Sequence, residues 1–486
     1  MAARAIMLQG TGSDVGKSLL VAGLCRIAKR RGIKVAPFKS QNMSNNAAAC
    51  SSGGEIGRAQ ALQARAAGIE PTTDMNPVLL KPEGDRRSQI VLNGRPVRSE
   101  EAAHYMRHRA KLLPHVLNAF ERLRASCDLV IVEGAGSPAE VNLRKGDIAN
   151  MGFARAVDIP VVLVGDIDRG GVIAAVVGTS AVLDPEDAAM IEGFAINRFR
   201  GDPALFDDGV TFTELKTGWP CLGVVPWLPC AARLPAEDAV VLERRAGMKN
   251  DIVIAVPMLS RISNFDDLDP LRAEEDVDVR FIPPGAPIPR DADAIILSGT
   301  KSTLTDLAML REQGWDHDII AGVRTGAHLV GICGGFQMLG TRINDPGGVD
   351  GIAGSAKGLG LLRMTTLMTG EKTVRPMRAV TVQERIALTG YEIHTGRSDG
   401  PALAQPFCML EDGVPDGAVA KGGRIIGTYL HGVFANDAFR GDWLGGLRGG
   451  RASLLDYEEG VEAALDELAD GLEEALDIDA IMAMAR

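Results

Sequence analysis

"RAIMLQGTGSDVGKSLL", residues 4–20, decides how the amino-terminal half of this chain folds. An apolar run ends in glycine, a short polar loop follows, and a lysine–serine pair opens what reads as a helix. A phosphate chain needs several backbone N–H groups converging on one point, and glycine lets the main chain wrap that closely. The helix behind the loop adds the positive end of its dipole. The loop comprises Gly10, Thr11, Gly12, Ser13, Asp14, Val15, Gly16, Lys17 and Ser18. Lys17 is placed to reach the β- and γ-phosphates of ATP, and the Ser18 hydroxyl to ligate Mg²⁺. Five residues separate Gly10 from Gly16, one more than the common P-loop has.

Outward from this loop, continuous apolar runs alternate with helical stretches. Runs at 4–9, 34–38, 128–134, 159–166, 191–199 and 221–226 read as buried strands, with helices over 16–31 and 100–125. That pattern predicts a doubly wound α/β domain over 1–228. Residues 229–250 hold prolines and charges without periodicity and read as a linker. A second series of runs at 251–259, 279–284, 293–300, 327–333 and 423–432 predicts another α/β domain over 251–445. The tail, 446–486, combines helical apolar spacing with an acidic face and reads as one or two packed structural helices.

Bulk composition agrees. A chain of 486 residues is too long for one ordinary core, and 46% hydrophobic with 24% charged residues describes a globular protein. A net charge of -11 argues against a broad nucleic-acid surface. The seven cysteines lack metal-ligand spacing, which fits a reducing compartment. No apolar run approaches the roughly 20 residues of a membrane helix, and the start runs into a strand with no visible signal peptide. The expectation is a cytoplasmic protein without nucleic-acid or membrane partners. Assembly into a homo-oligomer is allowed but not demanded.

Further contacts to phosphate or metal should come from other strand ends. Glu133 closes an apolar strand in "VIVEGAG" and is placed to hold Mg²⁺ directly or through water. Asp166 and Asp168 end the next strand, as metal contacts or as helix caps. Lys39 ends the second strand, either to steady phosphate charge or as a solvated lysine.

The second half poses a different problem in "HLVGICGGFQMLG", residues 328–340. A strand feeding Gly331-Ile332-Cys333-Gly334-Gly335 reads as a nucleophile elbow, whose sharp turn exposes the side chain beside a helix start. That position favours thiolate. An unperturbed thiol is only a few per cent ionised at pH 7, so a base is wanted. His431 in "GTYLHGVF", at the end of a late strand, is the candidate.

The long phosphate loop resembles that of dethiobiotin synthetase and its relatives, ATP-dependent enzymes acting on carboxyl-type substrates. The cysteine elbow and late histidine resemble the class I glutamine amidotransferases. There the cysteine attacks the glutamine amide, forms a glutamyl thioester and frees ammonia. That family usually has an acid two residues after the histidine, a position held here by Val433. A subgroup attached to corrinoid synthetases shares this dyad form. "SGTKST" (298–303) lies where the family builds its oxyanion hole. Glu392 or His394 in "GYEIHTG" would contact glutamine or orient His431.

Taken together, "GTGSDVGKS", "FKSQNMSNN", "VEGAGSPAEVNLRKGDIANMGFA", "GDIDRGGVIA", "INRFRGD", "LPAEDA", "GICGGFQMLG" and "YLHGVF" resemble the cobyric acid synthase family over about 4–445. The resemblance implies amidation of carboxylates b, d, e and g of a corrinoid substrate, adenosylcobyrinic acid a,c-diamide. L-glutamine would supply nitrogen, and ATP would activate each carboxylate. So large a polyanion calls for a local basic or amide-rich cleft. Gln41, Asn42, Asn45 and Asn46 are candidates for it, or else form an Asx-rich turn. Three other readings stand beside this one. Cobyrinate a,c-diamide synthase shares both domains, a partitioning-type P-loop switch would leave Cys333 unexplained, and an inert amidotransferase-like scaffold would follow if the absent acid at Val433 meant lost catalysis.

Overall fold

The computed structural model describes residues 3–84, 86–235, 252–351, 353–448, 453 and 455–486. Two parallel sheets organise it. In the first, strand order is Cys221–Pro226, Ile191–Phe199, Val161–Asp166, Arg4–Gly10 (β1), Leu129–Glu133, Val35–Phe38 (β2). Every neighbouring pair is parallel. Leu129–Glu133 is buried at every position. Both faces are covered, which is why the sequence shows continuous apolar runs instead of alternation. The strand ends of β1, Leu129–Glu133 and Val161–Asp166 therefore open on one edge, where a doubly wound sheet binds its ligand.

The helix Lys17–Arg30 (α1) follows the glycine loop, and Arg58–Ala67 (α2) packs beside it. The helix expected over 100–125 is broken. Residues up to Glu101 are strand, Ala102–His108 is helical, Arg109–Leu112 is a 3-10 turn, and Leu113–Arg124 is a separate helix. Pro114, lacking an N–H and fitting only the first turn of a helix, enforces the restart.

Of the expected linker, 229–235 is described and includes a 3-10 turn, Pro229–Arg233; 236–250 lie outside the described residues. The second sheet runs Val277–Ile282, Ile252–Pro257, Ala294–Leu297, His328–Ile332, Ile425–Thr428, Ala418–Ala420, parallel except for the last pair. "GRIIGTYLHG" is divided: Leu430–His431 leaves this sheet and pairs antiparallel with Ala387–Asp399. That partner belongs to a long hairpin, Thr365–Thr381 with Ala387–Asp399, not anticipated from the sequence. The first domain also carries an unanticipated four-stranded sheet, ordered Gln41–Met43, Val78–Pro82, Arg87–Leu92, Arg95–Glu101. Ala47, Leu79 and Val91 from this region pack against Ile393 of the hairpin, joining the two halves.

The tail forms two helices, Tyr457–Ala475 and Ile478–Met484. They complete the core of the first domain: Leu465, Leu468 and Leu472 pack with Leu20, Leu24 and Ile27. Gly23 permits the approach, since a Cβ there would lie 2.3 Å from Leu472 Cδ1. The acidic face is used as well. Asp466 and Asp470 pair with Arg30 at 3.0 and 2.6 Å, and Asp479 with Arg31 at 2.6 Å. Leu472 is fully buried. Leu472→Ala is therefore expected to destabilise the first domain by about 2–5 kcal/mol, read as a lowered urea midpoint for the transition that exposes this core.

Candidate active sites

Two centres emerge. At the first, Gly16 adopts φ +88°, and a Cβ there would meet Asn197 Nδ2 at 2.2 Å. Glycine is required by both backbone and neighbour. Asn197 Nδ2 donates to Val15 O at 2.9 Å and Arg198 to Asp14 O at 2.7 Å, so the strand Ile191–Phe199 holds the loop in shape. Lys17 Nζ donates to Gly12 O at 2.9 Å and to Gly136 O at 3.4 Å, lying over the loop.

Glu133 lies at the focus. Its Oε1 accepts from Ser18 Oγ at 2.8 Å and Lys39 Nζ at 2.7 Å; its Oε2 accepts from Gln63 Nε2 at 2.6 Å and Gln60 Nε2 at 3.4 Å. Lys39 is thus buried against Glu133 and is not a solvated lysine. The structure brings Gly10–Ser18, Lys39 and Glu133 together. Asp166 and Asp168 are taken up differently. Asp166 accepts from Arg198 at 3.0 Å and from Asp168 N at 2.8 Å, while Asp168 pairs with Arg200 at 2.5 Å. Among the described residues no group of three His, Cys, Asp or Glu is placed to hold a metal. Ser18 and Glu133 supply two hard oxygens, a set that suits Mg²⁺ when phosphate oxygens and waters complete the shell.

Of the polar cluster after β2, Asn42 Nδ2 donates to Gln60 Oε1 at 3.0 Å, and Gln41 accepts from the Tyr105 hydroxyl. Asn46 Oδ1 accepts from the backbone N–H of Asn264 at 2.7 Å, a contact to the second domain. Asn45 Oδ1 is buried without a hydrogen-bond partner.

At the second centre, His328–Ile332 delivers Cys333 into a strained bend, φ +53° and ψ -107°, ahead of the short helix Gly334–Leu339. Gly335 allows that bend to pack, since a Cβ would fall 1.9 Å from Leu297 O. The Cys333 thiol donates to Ile393 O at 3.4 Å. Cys333 and His431 line the same cavity, close enough that the sulfur helps to hold the imidazole charged. The loop "SGTKST" lies beside the elbow: a Cβ on Gly334 would be 3.1 Å from Thr300 N. Asp350 Oδ2 accepts from Thr303 N at 2.6 Å and steadies the loop.

Glu392 and His394 do not reach the histidine as orienting groups. Glu392 pairs with Arg375 at 2.7 Å and with His394 at 3.5 Å. The His431 Nδ1 lies instead 2.7 Å from Asp267 Oδ2. Sequence reasoning missed Asp267, which is 164 residues away in "NFDDLD". The available signal was a pair of acids just beyond the first strand of the second domain. Burial alone lowers the pKa of His431; the Asp267 carboxylate and Cys333 outweigh it and hold the ring up to about 10.

The centres are joined through a charged interface. A cavity beside Cys333 and His431 is lined by Lys301 and Lys372 and also by Lys81 and Gln89 of the first domain. Glu55, fully buried, accepts from Lys81 at 2.9 Å and from Lys372. Burial would raise the Glu55 carboxyl; the two ammonium groups hold it down to about 2. Arg58, at the start of α2, pairs with Asp266 Oδ2 at 2.9 Å.

Comparison with known proteins assigns both halves. Residues 6–241 match the CobQ/CobB/MinD/ParA nucleotide binding domain, and 253–439 the CobB/CobQ-like glutamine amidotransferase domain. The cobyric acid synthase of Hyphomonas neptunium is 63% identical over 486 residues, covering 100% of this chain and 98% of that protein. That of Paracoccus denitrificans is 61% identical over 482 residues, covering 99% and 100%, and that of Brucella suis biovar 1 is 57% identical over 484 residues, covering 99% and 100%. With a nucleotide-binding sheet and an amidotransferase sheet matched along its whole length, the chain belongs to the cobyric acid synthase family, ligases of cobalamin biosynthesis that carry a glutamine amidotransferase domain.

Proposed function

We propose that this chain makes amides at carboxylates b, d, e and g of adenosylcobyrinic acid a,c-diamide, using ATP and glutamine. The observation that carries this reading is the pairing of two centres in one chain: Cys333 and His431 lining one cavity, and Glu133 with Ser18 behind a glycine loop. The family named above fits both.

A carboxylate resists amines because its oxygen is a poor leaving group. At the first centre the substrate carboxylate attacks the γ-phosphorus of ATP, giving an acyl phosphate and ADP. Lys17 and the loop N–H groups from Gly10 to Ser18 oppose the charge on the phosphoryl oxygens. Mg²⁺, bound by Ser18 and Glu133 with phosphate oxygens and water, would neutralise the same charge when present. Lys39 and the amides of Gln60 and Gln63 hold the Glu133 carboxylate in place.

At the second centre the Cys333 sulfur attacks the glutamine Cδ. The negative oxygen that forms is met by backbone N–H groups of the 298–303 loop and the elbow. His431 gives its proton to the departing nitrogen, the C–N bond breaks, and ammonia leaves a thioester that water hydrolyses to glutamate. Ammonia made inside the protein stays unprotonated and reaches the acyl phosphate, where phosphate leaves as the amide forms. The cavity walled by both domains is the start of that route. The domain limits we propose are 1–228 for the synthase, 229–250 for the linker, 251–445 for the amidotransferase and 446–486 for the tail. Free thiols at all seven cysteines fit a cytoplasmic setting.

Amide-¹⁵N glutamine with ATP, Mg²⁺ and the a,c-diamide should give four ¹⁵N-labelled amides by mass spectrometry; acceptance only of unamidated cobyrinate would overturn the reading. Cys333→Ser should lose glutamine-driven amidation yet keep the reaction driven by high ammonium, and Lys17→Ala should cripple both. Gly335→Ala drives a Cβ against Leu297 O. It is expected to abolish glutamine hydrolysis with ammonium-driven synthesis retained, measured as glutamate release against amide formation.

A further inference from the structure

Val433, where an acid would stand two residues after the histidine, is buried and apolar. The imidazole nonetheless has a carboxylate partner, and that partner sits on a loop gripped by the other domain. We propose that Asp267 is the positioning residue of His431, and that the synthase domain holds its loop, so that the glutaminase centre is completed across the domain interface. This rests on Cys333 and His431 being the glutaminase pair.

Both Asp267 oxygens are committed. Oδ2 takes the His431 Nδ1–H at 2.7 Å, and Oδ1 takes the backbone N–H of Gly432 at 2.7 Å. The carboxylate therefore fixes both the ring and the chain beside it, and its bond at Nδ1 selects the tautomer that leaves Nε2 for the sulfur. Side chains of Asp267 and His431 are 0% and 1% exposed, so water cannot replace the bond. Tyr391 stacks on the imidazole, ring centroids 5.1 Å apart and planes 10° apart, and opposes rotation.

The loop has its own supports, and they come from the first domain. Asn264 takes a left-handed φ of +53° at the head of the turn Phe265–Leu268. Its N–H donates to Asn46 Oδ1 at 2.7 Å, while its Oδ1 accepts from Ala47 N at 3.1 Å. Asp266, next to Asp267, is paired with Arg58 at 2.9 Å. Arg58 opens α2, and two and five residues further on the same helix Gln60 and Gln63 donate to Glu133 at the phosphate side. One rigid helix thus touches the supports of both centres. Cys333, Asp267, Asp266 and Tyr391 act on His431 directly, and Arg58 acts through its pair with Asp266.

The test uses the full chain and reads glutamine hydrolysis, its pH profile and ammonium-driven amidation, with Cys333→Ser alongside. Asp267→Asn should lower kcat for glutamine hydrolysis about 10²- to 10⁴-fold, with KM within about threefold and ammonium-driven synthesis intact. Removing the carboxylate removes what raises His431 to about 10, so the alkaline limb of the profile should move to lower pH. Asp267→Glu, which keeps the charge, should restore that limb even where kcat stays reduced. Arg58→Met should slow glutamine hydrolysis about threefold to thirtyfold and spare ammonium-driven synthesis. An Asp267→Asn enzyme with unchanged kcat, or an unmoved limb, overturns the positioning role. An Arg58→Met enzyme that keeps full hydrolysis, or loses both activities equally, overturns the cross-domain support. A Cys333→Ser enzyme that still hydrolyses glutamine would sink the glutaminase assignment itself, a distinct failure.

Discussion

Glu55 is fully buried between Lys81 of its own domain and Lys372 of the other. An ion taken out of water loses several kcal/mol of hydration, and only close opposite charge compensates. Parting the two halves would strip Glu55 of one of its two ammonium partners, and water would replace it imperfectly at so buried a site. The amidotransferase hairpin is therefore held against the synthase domain by a charge that neither half can satisfy alone. Lys301, pairing with Glu83 at 3.4 Å, repeats the arrangement beside the cavity at Cys333 and His431. This docking sets the cavity wall, the reach of Arg58 to Asp266 and the contact of Asn46 with Asn264.

The two centres share a logic in spite of their different chemistry. Each holds one buried carboxylate by more than one donor: Glu133 by Ser18, Lys39, Gln60 and Gln63 from separate elements, and Asp267 by the adjacent His431 and Gly432. A carboxylate so bound cannot drift, and the group it holds is placed in turn. α2 supplies Gln60 and Gln63 to the first carboxylate and Arg58 to the neighbour of the second. Because a helix moves as a unit, displacement at one end is felt at the other.

What the sequence shows and what it hides follow from burial and chain distance. Strands of the two parallel sheets are covered on both faces, so they stand out as apolar runs, and the observed strands fall within a few residues of those runs. The hairpin Thr365–Thr381 with Ala387–Asp399 is mostly half-exposed, with Gly370, Pro376 and Gly390 inside it, and no run or clean alternation marks it. The helix over 100–125 fails for want of weight given to Pro114. Cys333 and His431 are legible because an elbow needs glycines and a strand end is easily placed. Asp267 is not, because only tertiary folding brings it across 164 residues to the histidine. Asn46 similarly reads as a turn residue and is found bonded to a loop of the other domain.

The distribution of charge resolves a tension between an acidic protein and the polyanionic substrate proposed for it. From Tyr457 onward the chain carries ten acidic residues against one arginine, nine of its eleven net negative charges. Those acids are not spread over the binding face. Glu462, Asp466, Asp470 and Asp479 meet Arg26, Arg30, Arg31 and Arg65, and the first three of these arginines lie in the carboxyl-terminal half of α1 or just beyond it. At 1.5 Å per residue, Arg26 to Arg31 lie roughly 14–21 Å along the axis from Lys17. That exceeds the Debye length of about 8 Å at physiological salt, so the tail's field is largely screened at the phosphate loop. The glycine loop's N–H groups and Lys17 then act on a phosphate without competition from the tail, while Lys39 balances Glu133. The acid surplus serves to dock a helix, and the net charge of the chain says little about the charge of its site.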